Sequence, residues 1–159
     1  EQEPSNYGDF TNPIGIPEIV KDGEDITVVS YGSTFNLCVE ASNELDKLNI
    51  SCELIDIQTL IPFDLNKVIV KSLSKTNKVI FIDEDVPGGA TAYMMDQVIN
   101  KQKGYFHLDS QPVTLTAKDH RPAYGTDGDY FSKPSINDII ESIYSIMSEN
   151  NPSKYPSIY

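Results

Sequence analysis

Short runs of apolar and β-branched residues recur along the chain, and segments with helical spacing of their apolar positions lie between them. Residues 26–31 (ITVVSY) and 78–83 (KVIFID) are almost purely apolar, which is typical of strands covered on both faces in a parallel sheet. Residues 51–57 (SCELIDI) and 112–116 (PVTLT) predict two further strands. This alternation predicts an α/β fold, in which helices cover both faces of a mostly parallel sheet.

The first two predicted helices follow the first two strands. Residues 34–48 come after Ser33, whose hydroxyl we expect to cap the helix. The second helix is predicted to begin at Pro62 with Asp64. The apolar faces predicted for these helices are Leu37, Ala41, Leu45 and Leu48 in the first, and Leu65, Val68, Ile69 and Leu73 in the second.

Two later helices are predicted at residues 90–102 and 135–149. The last helix has the clearest periodicity in the chain, and Ser135 followed by Asp138 predicts a capping box at its start. The buried faces predicted for these helices are Ala90, Met94, Val98 and the methylenes of Lys101 in the first, and Ile136, Ile139, Ile140, Ile143, Tyr144 and Met147 in the second.

The composition of the flanking segments predicts how the chain is divided. Residues 1–25 are rich in Glu, Asp, Pro and Gly, which favours an extended lead-in or linker. Residues 26–149 are predicted to form a single domain, and residues 150–159, which carry two prolines, an extended tail. Cys38 and Cys52 are too few for a disulfide framework, so we expect both to be small buried side chains.

Charge narrows the classes of partner. The 159 residues include 12 Lys and Arg against 24 Asp and Glu, a net charge of −12. Such a surface repels nucleic acids and anionic membranes, while a basic protein partner remains open beside a role in solubility alone. There is neither a run of 18 apolar residues nor the pattern of a signal peptide, so we expect a cytoplasmic protein without a membrane span.

Ligands of open α/β sheets bind beyond the carboxyl ends of the strands, and the sequence places candidate residues there. The turn at residues 31–34 leads into a helix N-terminus, so it is either a weak anion site or a plain turn. Asp83, Glu84 and Asp85 lie at the end of the third strand. Their carboxylates could coordinate a hard cation, dock a basic partner or simply be solvated. Because the first strand ends without a carboxylate, we predict no metal site.

The loop at residues 117–125 gathers His, Arg, Asp and Tyr. His120 could act as a general base, and Arg121 could bind a carboxylate or phosphate. The chain has no positioned nucleophile and no Ser/His/Asp, Cys/His or zinc-ligand spacing, so a plain surface loop is the alternative. The residues by themselves predict an α/β domain without a self-contained active site.

Several motifs, taken in order, resemble one family. Two segments resemble motifs of the carboxy-terminal, transketolase-like domain of the beta subunit of thiamine diphosphate-dependent 2-oxo acid dehydrogenases. They are PIGIPEIVKDGEDITVVSYGS at 13–33 and ELIDIQTLIPFD at 53–64. KVIFIDEDVPGGATAYMMDQV at 78–98 resembles the third strand and the Gly-Gly helix start of that domain. PVTLTAKDHRPAYG at 112–125 and SKPSINDIIESIY at 132–144 resemble its late strand and terminal helix.

The resemblance covers about residues 13–147 and departs from the family pattern at two places. Gln58 stands where Arg is usual, and Asp119-His120-Arg121-Pro122 replaces the more common Asp-Thr/Val-Pro. The resemblance implies a three-layer α/β/α fold with a mostly parallel sheet of about five strands. It also implies that residues 1–25 lead in from an upstream domain.

The resemblance further implies a division of labour. Thiamine diphosphate and Mg would be bound in the complete enzyme by an alpha-type domain and an upstream pyrimidine-binding domain, and no cofactor or metal by this chain. The chain would contribute to subunit assembly in a homo- or hetero-oligomer, to the active-site entrance and to docking of the lipoyl acyltransferase core. We therefore expect a domain of an oxidative 2-oxo acid decarboxylase that is inactive alone.

Candidate residues for these roles follow from their positions. His120 and Arg121 are predicted to lie near the active-site entrance, and no residue of the chain is predicted to be catalytic. The residues predicted to dock a partner are Asp83, Glu84, Asp85 and Tyr124. The aromatic residues expected to be exposed at subunit contacts are Tyr124, Tyr130, Phe131, Tyr155 and Tyr159.

Two alternatives remain open. The first is the C-terminal domain of another thiamine diphosphate enzyme, of the transketolase or deoxyxylulose-phosphate synthase type. Phosphorylated substrates need basic residues, and this chain has few, which favours an unphosphorylated 2-oxo acid. The second alternative is a stand-alone α/β module that binds proteins or anions.

Overall fold

The computed structural model of the chain describes residue 8 and residues 11–121, 124–125 and 128–157, apart from the side chain of Asp129. Within these ranges a central sheet has helices on both of its faces. None of the helices described is long and apolar enough to cross a membrane. The prediction of a three-layer α/β/α fold with a mostly parallel sheet of about five strands is confirmed.

Five strands form the sheet in the order β1-β3-β2-β4-β5. Strand β1 is antiparallel to β3, and all other neighbours are parallel. Every residue of β2 and β4 is buried, as their apolar runs predict, because helices cover both sides of these central strands. The strands are β1 Glu18–Lys21, β2 Ile26–Ser30, β3 Cys52–Asp56, β4 Val79–Ile82 and β5 Val113–Leu115.

Helices on the two faces enclose two separate apolar clusters. One face packs against the first and last helices, α1 and α5, and the other against α2 and α3. Helix α3 continues as a π-helical segment, Asp96–Lys101, before a 3-10 turn at Gly104–His107. The helices are α1 Gly32–Asp46, α2 Val68–Thr76, α3 Ala90–Met95, α4 Gly128–Ser132 and α5 Ile136–Asn150.

Both cysteines are buried and free, as predicted. Cys38 lies on α1 and Cys52 opens β3, and both belong to the cluster beneath α1 and α5. Burial raises the pKa of each thiol to about 12. The two thiols therefore stay protonated at neutral pH and act as small apolar side chains.

The edge strand β1 corrects the predicted lead-in. Residues 18–21 were expected in an extended linker, but they pair with β3 from Glu18 opposite Asp56 to Lys21 opposite Leu54. After β1 the chain passes close to β3 at Gly23. Only glycine fits there, because a Cβ atom would overlap the peptide between Cys52 and Glu53. An edge strand whose first three residues are exposed has no apolar face, so the periodicity of the sequence does not reveal it.

The starts of two helices also differ from the predictions. Helix α1 begins at Gly32 without a side-chain cap, so Ser33 does not cap it. Helix α2 begins at Val68 rather than at Pro62, because Asp64 and Lys67 have φ values of 40° and 53° and turn the chain before the helix. The buried Asp64 carboxylate accepts hydrogen bonds from the backbone N–H groups of Val68, at 2.7 Å, and Ile69, at 3.1 Å.

Three residues predicted on apolar helix faces are exposed. Leu48 lies beyond the end of α1, where Asn49 adopts a positive φ of 58°. Leu65 lies in the turn before α2. Lys101 ends the π-helical segment, whose wider turns take it out of the predicted face and pair it with Asp96.

Helix α5 follows the prediction closely. The Ser135 hydroxyl accepts a hydrogen bond from the Asp138 N–H at 3.2 Å, and the Asp138 carboxylate accepts one from the Ser135 N–H at 2.8 Å. The predicted capping box is therefore confirmed. Ile139, Ile143 and Met147 of the predicted face are buried against the sheet.

The segment after α5 is anchored to the domain, although an extended tail was predicted for 150–159. The Tyr155 side chain is 3% exposed, and its ring packs edge-on against Tyr144 with 6.2 Å between centroids. The Tyr155 hydroxyl donates a hydrogen bond to the Asn49 carbonyl at 2.9 Å. Tyr155 is therefore a core residue and not the exposed aromatic that was predicted, while Tyr159 lies outside the described residues.

We expect Tyr155→Ala to lower the free energy of unfolding by about 3 kcal/mol, because it removes a buried aromatic ring. Tyr155→Phe removes only the hydrogen bond to Asn49 and should cost about 1 kcal/mol. Urea unfolding of both variants measures these losses. Tyr130→Ala is the matched control, since this ring is 73% exposed. Equal losses for Tyr155→Ala and Tyr130→Ala would contradict the anchoring of this segment.

Candidate functional site

The carboxyl ends of β2 and β4 form the crevice where ligands of α/β sheets bind. The chain leaves β2 through α1 toward β3 on one side, and leaves β4 through α3 toward β5 on the other. Such a reversal of strand order opens a crevice beyond the two strand ends. We call this region, with residues 31–32, 83–85 and 116–121, the carboxyl edge.

A partly buried hydrogen bond connects the ends of the two central strands at the carboxyl edge. The Tyr31 hydroxyl donates to Asp83 Oδ2 at 2.7 Å, and Asp83 Oδ1 accepts from the Glu84 N–H at 2.7 Å. Asp83 is only 3% exposed. Burial, then the hydrogen bond to Asp83 and the negative charges of Asp83, Asp85 and Glu84, raise the pKa of Tyr31 well above its usual value. The phenol therefore remains a neutral donor.

The three carboxylates at residues 83–85 point to different partners. Asp83 binds Tyr31, whereas Glu84 pairs with Lys133 at 3.1 Å. Asp85 Oδ1 accepts a hydrogen bond from the Val86 N–H at 2.8 Å. Within the described ranges no three His, Cys, Asp or Glu side chains converge as a metal site. The buried Asp83 does not offer a docking surface, while Glu84 and Asp85 are exposed.

Backbone contacts hold the loop of His120 and Arg121 at the same edge. The Ala117 N–H donates to the Asp85 carbonyl, and the Lys118 N–H to the Ser132 carbonyl, both at 2.9 Å. The loop therefore lies between the acidic residues and α4. The structure thus brings together the two loops that the sequence singled out.

The predicted entrance residues contact aromatic rings. The His120 ring lies 5.7 Å from the Phe131 ring between centroids, and its Nδ1 atom lies 2.8 Å from the Arg121 carbonyl oxygen. Arg121 Cζ lies 4.9 Å from the centroid of Tyr124, and its Nη2 donates to the Tyr124 hydroxyl. No nucleophile pairs with His120 among the described residues, so this arrangement suits binding rather than acid–base catalysis.

Two features of the edge were missed by the sequence reasoning. The Tyr31–Asp83 pair could have been sought, because the two residues are the last of the two runs predicted as central strands. The Lys118 ammonium lies 4.1 Å from the centroid of Phe131. That contact joins residues on either side of a loop, and no spacing rule predicts it.

Exposed aromatic side chains lie beside the loop, and three of the aromatic residues predicted to be exposed are among them. Tyr124 is 84% exposed, and Tyr130 and Phe131 are also exposed. Tyr130 borders a shallow, largely apolar cavity of about 280 Å³ between α1 and the start of α5, together with Leu37, Lys133, Pro134, Ser135 and Ile136.

We expect Tyr31→Phe to destabilise the fold by about 1–3 kcal/mol, because it leaves the buried Asp83 without its phenol donor. Since the pKa of Tyr31 is raised on folding, its contribution is present below the ordinary phenol pKa of about 10 and is lost as the pH rises above it. Between pH 7 and pH 11, the free energy of unfolding should therefore fall less steeply with pH for Tyr31→Phe than for the wild type.

Tyr93→Phe is the control for this experiment, because its ring packs against Phe63 and its hydroxyl makes no described hydrogen bond. An equal loss and an equal alkaline slope for Tyr93→Phe and Tyr31→Phe would contradict the role of the Tyr31–Asp83 pair.

Curated relatives are larger proteins, of which the chain spans about a third. The pyruvate dehydrogenase E1 component subunit beta of Rhizobium meliloti is 28% identical over 87% of this chain and 30% of its own length. The mitochondrial 2-oxoisovalerate dehydrogenase subunit beta of Dictyostelium discoideum is 36% identical over 65% of this chain and 28% of its own length. The corresponding subunit of Bacillus subtilis is 32% identical over 70% of this chain and 33% of its own length.

Solved structures share the fold at low sequence identity. A split-gene transketolase, described as an inactive beta4 tetramer, superposes with a TM-score of 0.72 at 19% identity, covering 88% of this chain and 45% of that one. A mutant transketolase from Pichia stipitis superposes with a TM-score of 0.58 at 14% identity, covering 91% of this chain and 20% of that one. A sequence model for the C-terminal domain of transketolase matches residues 15–132, so the chain belongs to this family, the C-terminal domain of transketolase-like and E1 beta-type enzymes.

Proposed function

We propose that this chain is the C-terminal domain of the decarboxylating component of a cytoplasmic 2-oxo acid dehydrogenase complex. That component would decarboxylate pyruvate or a branched-chain 2-oxo acid oxidatively and transfer the acyl group to a lipoyl group. The observation that carries the proposal is the similarity to E1 beta subunits over 65–87% of the chain. The domain itself would serve subunit assembly, the active-site entrance and docking of the acyltransferase core.

The described residues do not fit a thiamine diphosphate and magnesium site. A diphosphate held through Mg²⁺ needs oxygen ligands that converge on the metal. The carboxylates of Asp83, Glu84 and Asp85 diverge toward Tyr31, Lys133 and the Val86 N–H. This supports the proposal that the cofactor is bound by an alpha-type domain and an upstream pyrimidine-binding domain, and that the chain alone is inactive.

The entrance role rests on the position of His120 and Arg121. Both residues are exposed and lie in the part of the carboxyl edge whose Ala117 N–H is hydrogen-bonded to the Asp85 carbonyl. Exposed loops on a rigid sheet are where α/β enzymes carry their binding residues. In the complete assembly we place His120 and Arg121 at the mouth of the active site, where they contact the incoming substrate or lipoyl group.

The docking role rests on charge and exposure. Glu84, Asp85 and the ring of Tyr124 are exposed beside the crevice, and the whole chain carries a net charge of −12. A basic domain of the acyltransferase core would be attracted by this field and would associate faster than a neutral one. The Tyr124 ring would provide an apolar contact within the charged surface.

Reconstitution tests the proposed function. The parent polypeptide, combined with an alpha-type subunit if that is a separate chain, should decarboxylate pyruvate or branched-chain 2-oxo acids only with thiamine diphosphate and Mg²⁺. The 159-residue chain alone should show no activity. Activity toward phosphorylated ketoses instead would indicate a transketolase-type enzyme. A parent that binds no cofactor would indicate a stand-alone interaction module.

In the same assembly, His120→Ala and Arg121→Ala should each lower kcat/KM for the lipoyl-bearing substrate by about tenfold, the loss of one polar contact. Lys71→Ala, at an exposed residue of α2, is the control. Unchanged kinetics for both loop variants would remove them from the entrance.

Replacing Glu84 and Asp85 together by Gln and Asn should slow association with the basic domain of the acyltransferase core several-fold at low salt and reduce its salt dependence. Stopped-flow or surface plasmon resonance measurements at several ionic strengths report both effects. The control replaces Glu40 and Glu141, two exposed helical residues, by Gln. An equal effect in the control would assign the attraction to net charge rather than to the acidic loop.

A further inference from the structure

Among the described residues, two cations at the carboxyl edge lie over aromatic rings and form no ion pair. Lys118 Nζ lies 4.1 Å from the centroid of Phe131, and Arg121 Cζ lies 4.9 Å from that of Tyr124. The backbone of Lys118 is bonded to Ser132 at 2.9 Å. We call Lys118, Arg121 and Ser132, with the two rings, the cationic cluster.

The cations of this cluster have free hydrogen-bond donors. Among the described side chains neither Lys118 nor Arg121 forms an ion pair, although the chain has twice as many acidic as basic residues. Arg121 uses one of its five N–H groups on Tyr124, which leaves an open edge of the guanidinium. Six lysines of the chain are paired with carboxylates, and Lys154 lies over the ring of Tyr155. The paired lysines are Lys21, Lys47, Lys75, Lys78, Lys101 and Lys133.

A buried hydroxyl in the cluster also lacks a partner. Ser132 is 4% exposed, and its Oγ atom has no hydrogen-bond partner among the described residues. A buried hydroxyl without a partner is unfavourable, and such groups in native proteins are commonly satisfied by water or a ligand. The Ser132 carbonyl accepts a hydrogen bond from the Lys118 N–H, so Ser132 lies next to the backbone of Lys118.

We propose that the cationic cluster binds the carboxylate of a small organic acid. The open edge of the Arg121 guanidinium matches the two oxygens of a planar carboxylate, and the Lys118 ammonium adds a second charge. The Tyr124 and Phe131 rings provide apolar walls for a short carbon chain. A tetrahedral phosphate is disfavoured, because no row of backbone N–H groups surrounds it in the described loop.

This proposal deepens the entrance role proposed for Arg121, because it names the chemical class of ligand bound at the same loop. It concerns binding by the chain itself, so it can be tested without the activity of the complete enzyme. The net charge of −12 repels small anions from the protein as a whole. Saturable binding of an acid would therefore come from local contacts, and not from a general electrostatic field.

Arg121 is the single arginine of the chain, so its Nε–Hε group gives one unambiguous NMR signal. We would titrate the full chain with succinate, acetate and inorganic phosphate, and with a short glutamate peptide. Succinate and acetate should shift this signal saturably. Arg121→Lys, followed through the ligand signals, and Lys118→Gln should each weaken binding by about tenfold or more. Ser132→Ala should weaken it several-fold.

Lys71→Gln is the matched control, because it removes an exposed lysine of α2 outside the cluster, and it should leave the affinity unchanged. The proposal is overturned if the Arg121 signal shows no saturable shift with either acid, or if Lys71→Gln weakens binding as much as Lys118→Gln. Phosphate binding as tightly as succinate would overturn the carboxylate assignment. Binding of the glutamate peptide alone would assign the cluster to an acidic protein partner instead.

Discussion

At the centre of the sheet β2 and β4 lie side by side in parallel, with Val28 opposite Ile80, and every residue of both strands is buried. Their carboxyl ends therefore open together onto one crevice. This pairing brings the Tyr31 phenol to Asp83, the first residue beyond β4. A carboxylate buried to this extent would be strongly unfavourable without donors, so the hydrogen bonds from the Tyr31 hydroxyl and the Glu84 N–H allow an acidic residue at this position.

The charges around the crevice separate into two groups with different surroundings. On one side, the exposed Glu84 and Asp85 face solvent next to the buried Asp83. On the other side, Lys118 and Arg121 lie over the aromatic rings of Phe131 and Tyr124. Because the backbone bond from Ala117 to Asp85 makes the two groups neighbours, one edge of the sheet presents an acidic and a cationic surface together. Such an edge can recognise a basic partner and an acidic ligand at separate points.

The parts of the fold that the sequence predicts are those with a strong local signal. The strands β2 and β4 follow from apolar runs, and α5 follows from its periodicity and capping box. Strand β1 was not predicted, because an exposed edge strand needs no apolar face and depends on pairing with β3. The burial of Tyr155 was not predicted for a similar reason, since Asn49 and Tyr144 come into contact with it only in the folded chain.

The candidate site shows the same division between local and long-range information. Residue types and strand ends indicated Arg121 and the acidic loop, whereas the contacts that define their chemistry depend on the sheet order and on α4. The distinction also governs what substitutions report. Changes at Tyr31 alter a buried pair and act first on folding, so any loss of function must be corrected for stability. Changes at the exposed Arg121 leave the core intact, so they report recognition directly.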